Sequence, residues 1–286
     1  MRVLAVGTAT LDIVNRVPAY PQEDQELRAI GQRVQRGGNA ANTLEILSHL
    51  GHQAFWAGCL AQDASSERVR AEMQRAGIDD RWARVHPGGV TPTSYILSSE
   101  ASGSRTIVHY RDLPEFEYDD FRNIDLSGFD WFHFEGRNPA ATERILAYVR
   151  QARPEVPRSL ELEKPRPGLD RCLADATLVM ISRAYALSLG CPSPQSLFER
   201  LRPLAKRALL FLAWGDVGGW CQTAEGRVAH RSAYHPPRVV DTLGAGDVFN
   251  AGLIQRLSLD WEPFAALEYA VRLAGEKCGH SGLVRN

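Results

Sequence analysis

Between residues 129 and 215 the chain repeats one pattern, a short apolar run that stops at a polar or glycine-bearing loop. The runs are FDWFHFEG, SLELE, ATLVMIS and ALLFLAWG. The loops that close them are EGRN at 135–138, EKPR at 163–166, SRAY at 182–185 and WGDVGG at 214–219. Runs this short and apolar suit strands buried on both faces, and the stretch near 139–152 reads as a helix between two of them. RVLAVG at 2–7 has the same character at the start of the chain. Strands alternating with helices predict an α/β fold, a doubly wound and mostly parallel sheet with helices on both sides. The loops at the strand ends then share one edge, where such sheets collect ligands.

At 286 residues the chain suits one large domain with an appendage, and its overall charge narrows the partners. With 33 basic and 34 acidic residues the net charge is −1, so nothing recommends nucleic acid and a small molecule is the natural partner. Cysteines 59, 172, 191, 221 and 278 are odd in number and scattered, which suits a reducing cytoplasm better than a disulfide framework or zinc site. No stretch approaches the apolar length of a membrane span, and a soluble protein is expected. GTATLD after the first strand lacks the three glycines of a dinucleotide fingerprint, which argues against a Rossmann dehydrogenase.

The chemistry concentrates in PPRVVDTLGAGDVFN at 236–250. Gly244, Ala245 and Gly246 leave consecutive N–H groups uncovered, a cradle for one anion. From Asp247 onward Phe249, Leu253 and Leu257 mark a helix, whose positive end adds to the cradle. An acid in a first helical turn is usually a cap or dipole partner. Beside a bound anion it makes sense as the general base that deprotonates an attacking hydroxyl, and the pair suggests phosphoryl transfer. In RGGNAANTLEILSHLG at 36–51, Gly37 and Gly38 permit close backbone approach ahead of a helix ended by Gly51. Asn39 and Asn42 fall on one face of its first turn, where paired amides suit adjacent sugar hydroxyls. Asp12, just past the first strand, is a candidate hydroxyl acceptor. Residues 13–35 and 92–111 read as short strands that form one small sheet. Gln222 to Gly226 supply the turn of a hairpin, and His133 reads as packed in the sheet. A last helix, about 262–277, puts Phe264, Leu267, Val271, Ala274 and Cys278 on one stripe, with Cys278 a small apolar residue and no reactive thiol.

At Asp241 to Asp247, DTLGAGD, the sequence resembles the second signature of the PfkB or ribokinase-like carbohydrate kinases, and RGGNAAN is similar to the first. QRGGNA, EGRN, EKPR, PPRVVDTLGAGD and KCG, in that order, resemble the ketohexokinase branch, and the likeness runs from residue 3 to about 282. It implies a ribokinase-like three-layer α/β/α domain over 1–286 with the strands of 13–35 and 92–111 as a β lid. Gly244, Ala245 and Gly246 become the anion hole, Asp247 the base, and Arg105, by itself only a surface arginine, a neighbour of the transferred phosphate. Asp12, Gly38, Asn39, Asn42 and Asn138 are implied at the sugar, with Asp24 reaching the sugar of a second subunit across a homodimer formed by the lids. Trp214, Asp216 and Gly218 are implied at the nucleotide, and Val271 and Ala274 at the adenine slot.

The cofactors implied are ATP and magnesium, with Glu163 acting on the metal through water and a potassium ion near Asp241. One departure stands out. Many relatives carry Asn-x-x-Glu where this chain has Ser182-Arg183-Ala184-Tyr185, so how the metal is held is left open and Arg183 is expected to meet a phosphate as a cation. The expected activity is ATP-dependent phosphorylation of a primary hydroxyl of a ketohexose such as fructose. Ribose, a nucleoside or 2-keto-3-deoxygluconate are alternative acceptors. A sugar-binding protein without catalysis is the reading from a different class, and the intact Asp247 and glycine turn argue against it.

Overall fold

The structure is a computed structural model that describes residues 1–285. In chain order the elements are β1 (Arg2–Val6), β2 (Thr10–Val17), β3 (Gly31–Gly37), α1 (Asn39–His49), β4 (Gln53–Ala61), α2 (Ala64–Arg75), β5 (Ile78–His86), β6 (Thr93–Ser99) and β7 (Arg105–Tyr110). There follow α3 (Tyr118–Phe121), β8 (Trp131–Glu135), α4 (Pro139–Ala152), β9 (Arg158–Leu162), β10 (Leu178–Ser182), α5 (Arg183–Ser188), α6 (Pro194–Leu201) and β11 (Leu209–Ala213). The chain ends with β12 (Gly219–Gln222), β13 (Val228–Arg231), α7 (Ala245–Leu257) and α8 (Pro263–Lys277).

Nine strands form one sheet in the order β13-β12-β11-β10-β9-β8-β1-β4-β5, parallel except for the hairpin edge β11-β12-β13. Side chains alternate across it as the pleat demands. Leu4 and Val6 of β1 join Phe132, Phe134, Leu160 and Leu162 under α4 on one face. Val3 and Ala5 join Met180 and Phe211 under α1, α7 and α8 on the other. This is the doubly wound α/β architecture expected from the alternating runs.

β2, β3, β6 and β7 make a separate four-stranded sheet in the order β3-β2-β6-β7. It leans over the carboxyl edge of the large sheet because β2 leaves β1 after only three residues and β3 runs straight into α1. At that junction Gly38 caps α1 with φ 103°, and a Cβ there would lie 2.0 Å from the Thr8 carbonyl oxygen. Only glycine allows strand and helix to meet so closely.

β4, α2 and β5 lie in a stretch, 52–91, from which the sequence reading drew no element. β4 is buried along nearly its whole length and carries no period-two signal, and β5 covers it as the sheet's edge. Among the described residues no helix is long and apolar enough to cross a membrane.

Candidate active site

α7 starts at Ala245, two residues before the start expected from apolar spacing, so Gly246 and Asp247 both sit in its first turn. The shift follows from Gly244, which takes the left-handed conformation at φ 81° and acts as the cap. A Cβ on Gly244 would collide with Leu283 Cδ2 at 2.3 Å, whereas one on Gly246 would meet nothing within 4 Å. The turn is therefore packed behind and open in front. Among the described residues the N–H groups of Gly246 and Asp247 have no acceptor, and they stand at the positive end of a 13-residue helix.

Asp247 is 6% exposed, and its Oδ2 accepts from Asn42 Nδ2 at 2.7 Å. Burial pushes its carboxyl up to about 8, against the pull of the Asn42 hydrogen bond. The charges of Glu163 and Glu135 add to the rise and that of Arg36 opposes it. The strand-end loops bring the other acids here. Glu161 Oε1 accepts from Asn39 Nδ2 at 3.2 Å and from Asn250 Nδ2 at 3.1 Å, Glu163 Oε2 accepts from Asn39 Nδ2 at 3.2 Å, and Glu135 accepts from the Thr8 N–H at 2.8 Å. Burial raises the proton affinity of Glu161 well above the ordinary glutamate value, and the charge of Asp247 adds to it. Glu161 Oε2 is buried with no partner.

A buried carboxylate oxygen left unpaired among like charges is an arrangement that a cation relieves, which fits a magnesium ion nearby. Among the described residues no three acid, histidine or cysteine side chains are close enough together to hold a metal.

Asp12 lies within β2 itself, not in the strand-end loop the sequence suggested. It is 8% exposed, accepts from Thr10 Oγ1 at 2.8 Å, and has its carboxyl raised by burial. Asn39 and Asn42 share one face of α1 as their spacing predicts. Asn42 Oδ1, however, accepts from Arg36 Nη1 at 3.0 Å, so that amide is committed at both ends to protein groups. Asn138 caps α4 by accepting from the Ala141 N–H at 3.3 Å and donates to Glu117 Oε1 at 2.9 Å, and its position at the end of β8 is explained by that cap. Asp24 is exposed in the loop between β2 and β3, with φ 63°.

On the far side of the glycine turn a cleft of about 490 Å³ is lined by Gly246, Arg183, Asp216, Gly218, Val271 and Ala274. Tyr234, His235 and Phe249 also line it; nothing in local spacing marked Tyr234 and His235, and Phe249 was read only as part of the helix's apolar stripe. Trp214 is 8% exposed, stacks edge-on against Trp220 and is not among the residues that line the cleft. SRAY, read as a loop, is the start of α5, with Ser182 as cap and Arg183 as the first helical residue, its guanidinium 5.6 Å from the Trp214 ring centre. Cys278 lines the cleft, and burial raises its thiol, in keeping with a small apolar role. Arg105 descends from β7, and its Nη1 donates to Thr242 Oγ1 at 2.8 Å, which sets a guanidinium from the small sheet beside the glycine turn.

Asp241 is held from several sides. Its Oδ1 accepts from the Leu243 N–H at 2.9 Å, its Oδ2 faces Arg33 at 3.4 Å, and its carbonyl accepts at 2.6 Å from Lys277 Nζ, which is 2% exposed. A potassium ion would have to bind outside that contact. Glu161, Asn250 and Lys277 went unremarked in the sequence because each works through a partner distant in the chain, and Arg36 because its partners Asn42 and Glu45, though near in sequence, are met only where the strand turns into the helix.

The pfkB family carbohydrate kinase profile matches residues 1–286. The chain is 37% identical to ketohexokinase of Mus musculus, over 98% of this chain and 97% of that one. It is 26% identical to the ATP-dependent ribose-1-phosphate kinase of Halopiger xanaduensis, over 99% and 93%. The structure of Arabidopsis thaliana ribokinase complexed with ribose and ATP superposes with a TM-score of 0.80 at 17% identity, covering 98% of this chain and 93% of that one. A ribokinase-like fold and a family match along the whole length thus meet at a single glycine turn with its acid, and the chain belongs to the pfkB family of carbohydrate kinases.

Proposed function

We propose that the protein is an ATP-dependent ketohexose kinase that phosphorylates a primary hydroxyl of a sugar such as fructose. The observation that carries this reading is the contact between Asn42 and Asp247 at the mouth of α7. What supports the reading is a buried acid beside helix N–H groups that have no acceptor among the described residues, at the edge of an apolar cleft. Asp12, Gly38 and Asn39 orient the acceptor. Asp247 Oδ1 takes the proton of its hydroxyl, and the oxygen attacks the γ-phosphorus as the bond to the bridging oxygen of ADP breaks. The turn at 244–246 and Arg105 bear the charge on the transferred group. Arg183, Asp216 and Gly218 face the phosphates and ribose, and Val271 and Ala274 flank the base. Glu163 would face a nucleotide-bound magnesium ion, which would supply neutralisation of phosphate charge.

The small sheet acts as a lid that pairs with a second copy. Tyr95, Val108 and Tyr110 share its outer face and are 51%, 65% and 55% exposed, more apolar surface than a lone edge hairpin ordinarily leaves to water. Pairing would bring Asp24 toward the neighbouring sugar. The five cysteines are all unpaired thiols, in keeping with a reducing cytoplasm.

A second reading, a phosphorylated pentose as acceptor, draws on Arg16, Arg33 and Arg105, which line a cavity of about 430 Å³ under the small sheet, and on the ribose-1-phosphate kinase likeness. A coupled ADP assay across fructose, tagatose, sorbose, ribose, ribose 1-phosphate, glucose, adenosine and 2-keto-3-deoxygluconate decides. Highest kcat/KM with a ketohexose is expected. Preference for ribose 1-phosphate would replace the first reading by the second, and ADP release indifferent to every sugar would remove both.

A further inference from the structure

Arg36 is the next-to-last residue of β3, in the small sheet, yet its side chain is 2% exposed and turned toward α1. The tight passage through Gly37 and Gly38 sets it there, one turn before the two α1 residues it meets. Asn42 and Glu45 are three apart and so on one face of that helix. The guanidinium spans them, Nη2 donating to Glu45 Oε2 and Nη1 donating to Asn42 Oδ1 at 3.0 Å. A guanidinium has only donors, so whichever end of an amide faces it must be the oxygen. The NH2 end of Asn42 is then left for Asp247 Oδ2 at 2.7 Å, and Asp247 Oδ1 has no partner among the described side chains.

We propose that Arg36 is a positioning residue for the reaction. Anchored on Glu45, it fixes the Asn42 amide with its NH2 toward Asp247, and so keeps the base as an acceptor with one oxygen free for the substrate hydroxyl. This rests on Asp247 being the base. Without Arg36 the amide turns over. Its oxygen then faces Asp247 and accepts a hydrogen bond from the protonated acid, which holds the base in the form that cannot work. An asparagine alone is ambiguous between these two states, and a buried fork of donors removes the ambiguity.

The charged groups that face Asp247 are Arg36 from β3, Glu135 from β8, and Glu161 and Glu163 from β9 and its following loop. All three acids favour protonation, and Arg36 is the cation set against them. The test is the titration of the Asp247 carboxyl carbon, followed by 13C NMR without sugar or nucleotide. Arg36→Met alone strands Glu45, so the main variant is Arg36→Met with Glu45→Gln, which removes both charges of the pair; Glu45→Gln alone is the control. The double variant is expected to raise the Asp247 midpoint by roughly one pH unit, and Arg36→Lys, which still offers a donor to Asn42 Oδ1, to restore part of the difference. In an Asn42→Ala background the same pair of changes is expected to move the midpoint less than half as far. An unmoved midpoint overturns the proposal, and an equal movement in the Asn42→Ala background assigns the effect to charge alone and overturns the amide's part. The acid limb of kcat against pH should follow the same order. A protein that titrates as expected yet releases no ADP with any sugar refutes the kinase reading, and leaves the contact intact.

Discussion

The two pockets on either side of the α7 mouth are built on opposite plans. On one side Asp12, Arg36, Glu135, Glu161 and Asp247 are buried charged groups, with Glu163 half-buried beside them, and each is held by an amide, a hydroxyl, a backbone N–H or an ion pair. On the other Val271, Ala274, Phe249 and Cys278 form an open and mostly apolar slot. The contrast shows where specificity and rate are set. Buried charges cost desolvation free energy unless their partners are placed well, so the first pocket is sensitive to single atoms. The slot depends on shape and area and tolerates volume-conserving change. Substitutions on the charged side should alter kcat and its pH dependence, and those on the apolar side should alter nucleotide KM.

The largest break of this contrast is Asp247→Asn. It keeps the shape and the contact to Asn42 and removes the proton acceptor. Steady-state turnover with the best sugar should fall by roughly 10²–10⁴-fold, with sugar binding by calorimetry within a few-fold of the parent. Turnover within a factor of two of the parent would take the base role from Asp247.

Arg105→Met probes a cation that the small sheet lends to the glycine turn, at the Thr242 hydroxyl. A group that acts on charge in the transition state should lower kcat by roughly 10²-fold with ATP KM less affected. A change confined to KM would assign Arg105 to ground-state binding. Next in size, Ala274→Phe fills the apolar slot. ATP KM should rise by about tenfold while sugar KM and the pH profile stay put, since an overpacked slot costs on the order of 1–3 kcal/mol. If kcat fell as well, the two sides would be less independent than their construction implies.

How far the sequence reaches depends on the same division. The glycine turn was legible because Gly244, Gly246 and Asp247 act through backbone and local helix geometry, which need only neighbours in the chain. Asn39 and Asn42 were legible as a pair for the same reason, and the parallel sheet from its apolar runs. Other features depend on what folding brings beside them. That Asn42 holds the base and not a free hydroxyl depends on Arg36, whose side chain turns back onto α1, and on Asp247, which lies 205 residues further along the chain. Glu161 looks like an ordinary polar interruption of SLELE until Asn250 and Asp247 are set against it. Trp214 sits in the right loop, yet its ring turned inward to Trp220, a choice between two faces that the loop's sequence leaves open. β4, QAFWAGCLA, is an apolar run of the same kind as those that were read, and it passed unnoticed although the same signal was there.

A last prediction is thermodynamic and tests the charged side without any substrate. Burial raises the Asp247 carboxyl from an ordinary value near 4 to about 8. A carboxyl raised on folding stabilises the native state fully below its unfolded value, and that contribution is lost as pH rises through the folded value. The parent should therefore lose stability between about pH 4 and 8 through this group, and Asp247→Asn, which cannot ionise, should not. Measured by thermal unfolding of the ligand-free proteins, the variant's advantage in Tm should grow from pH 5 to pH 9, by about 2–4 °C for each kcal/mol released. His133, buried and pushed down to about 4, destabilises at low pH in both proteins alike and drops out of the difference. A difference in Tm that is flat across this range would mean that Asp247 ionises freely in the empty pocket. The acids around it would then be screened by water, and the contrast between buried charge on one side and an apolar slot on the other would fail where it makes its most direct claim.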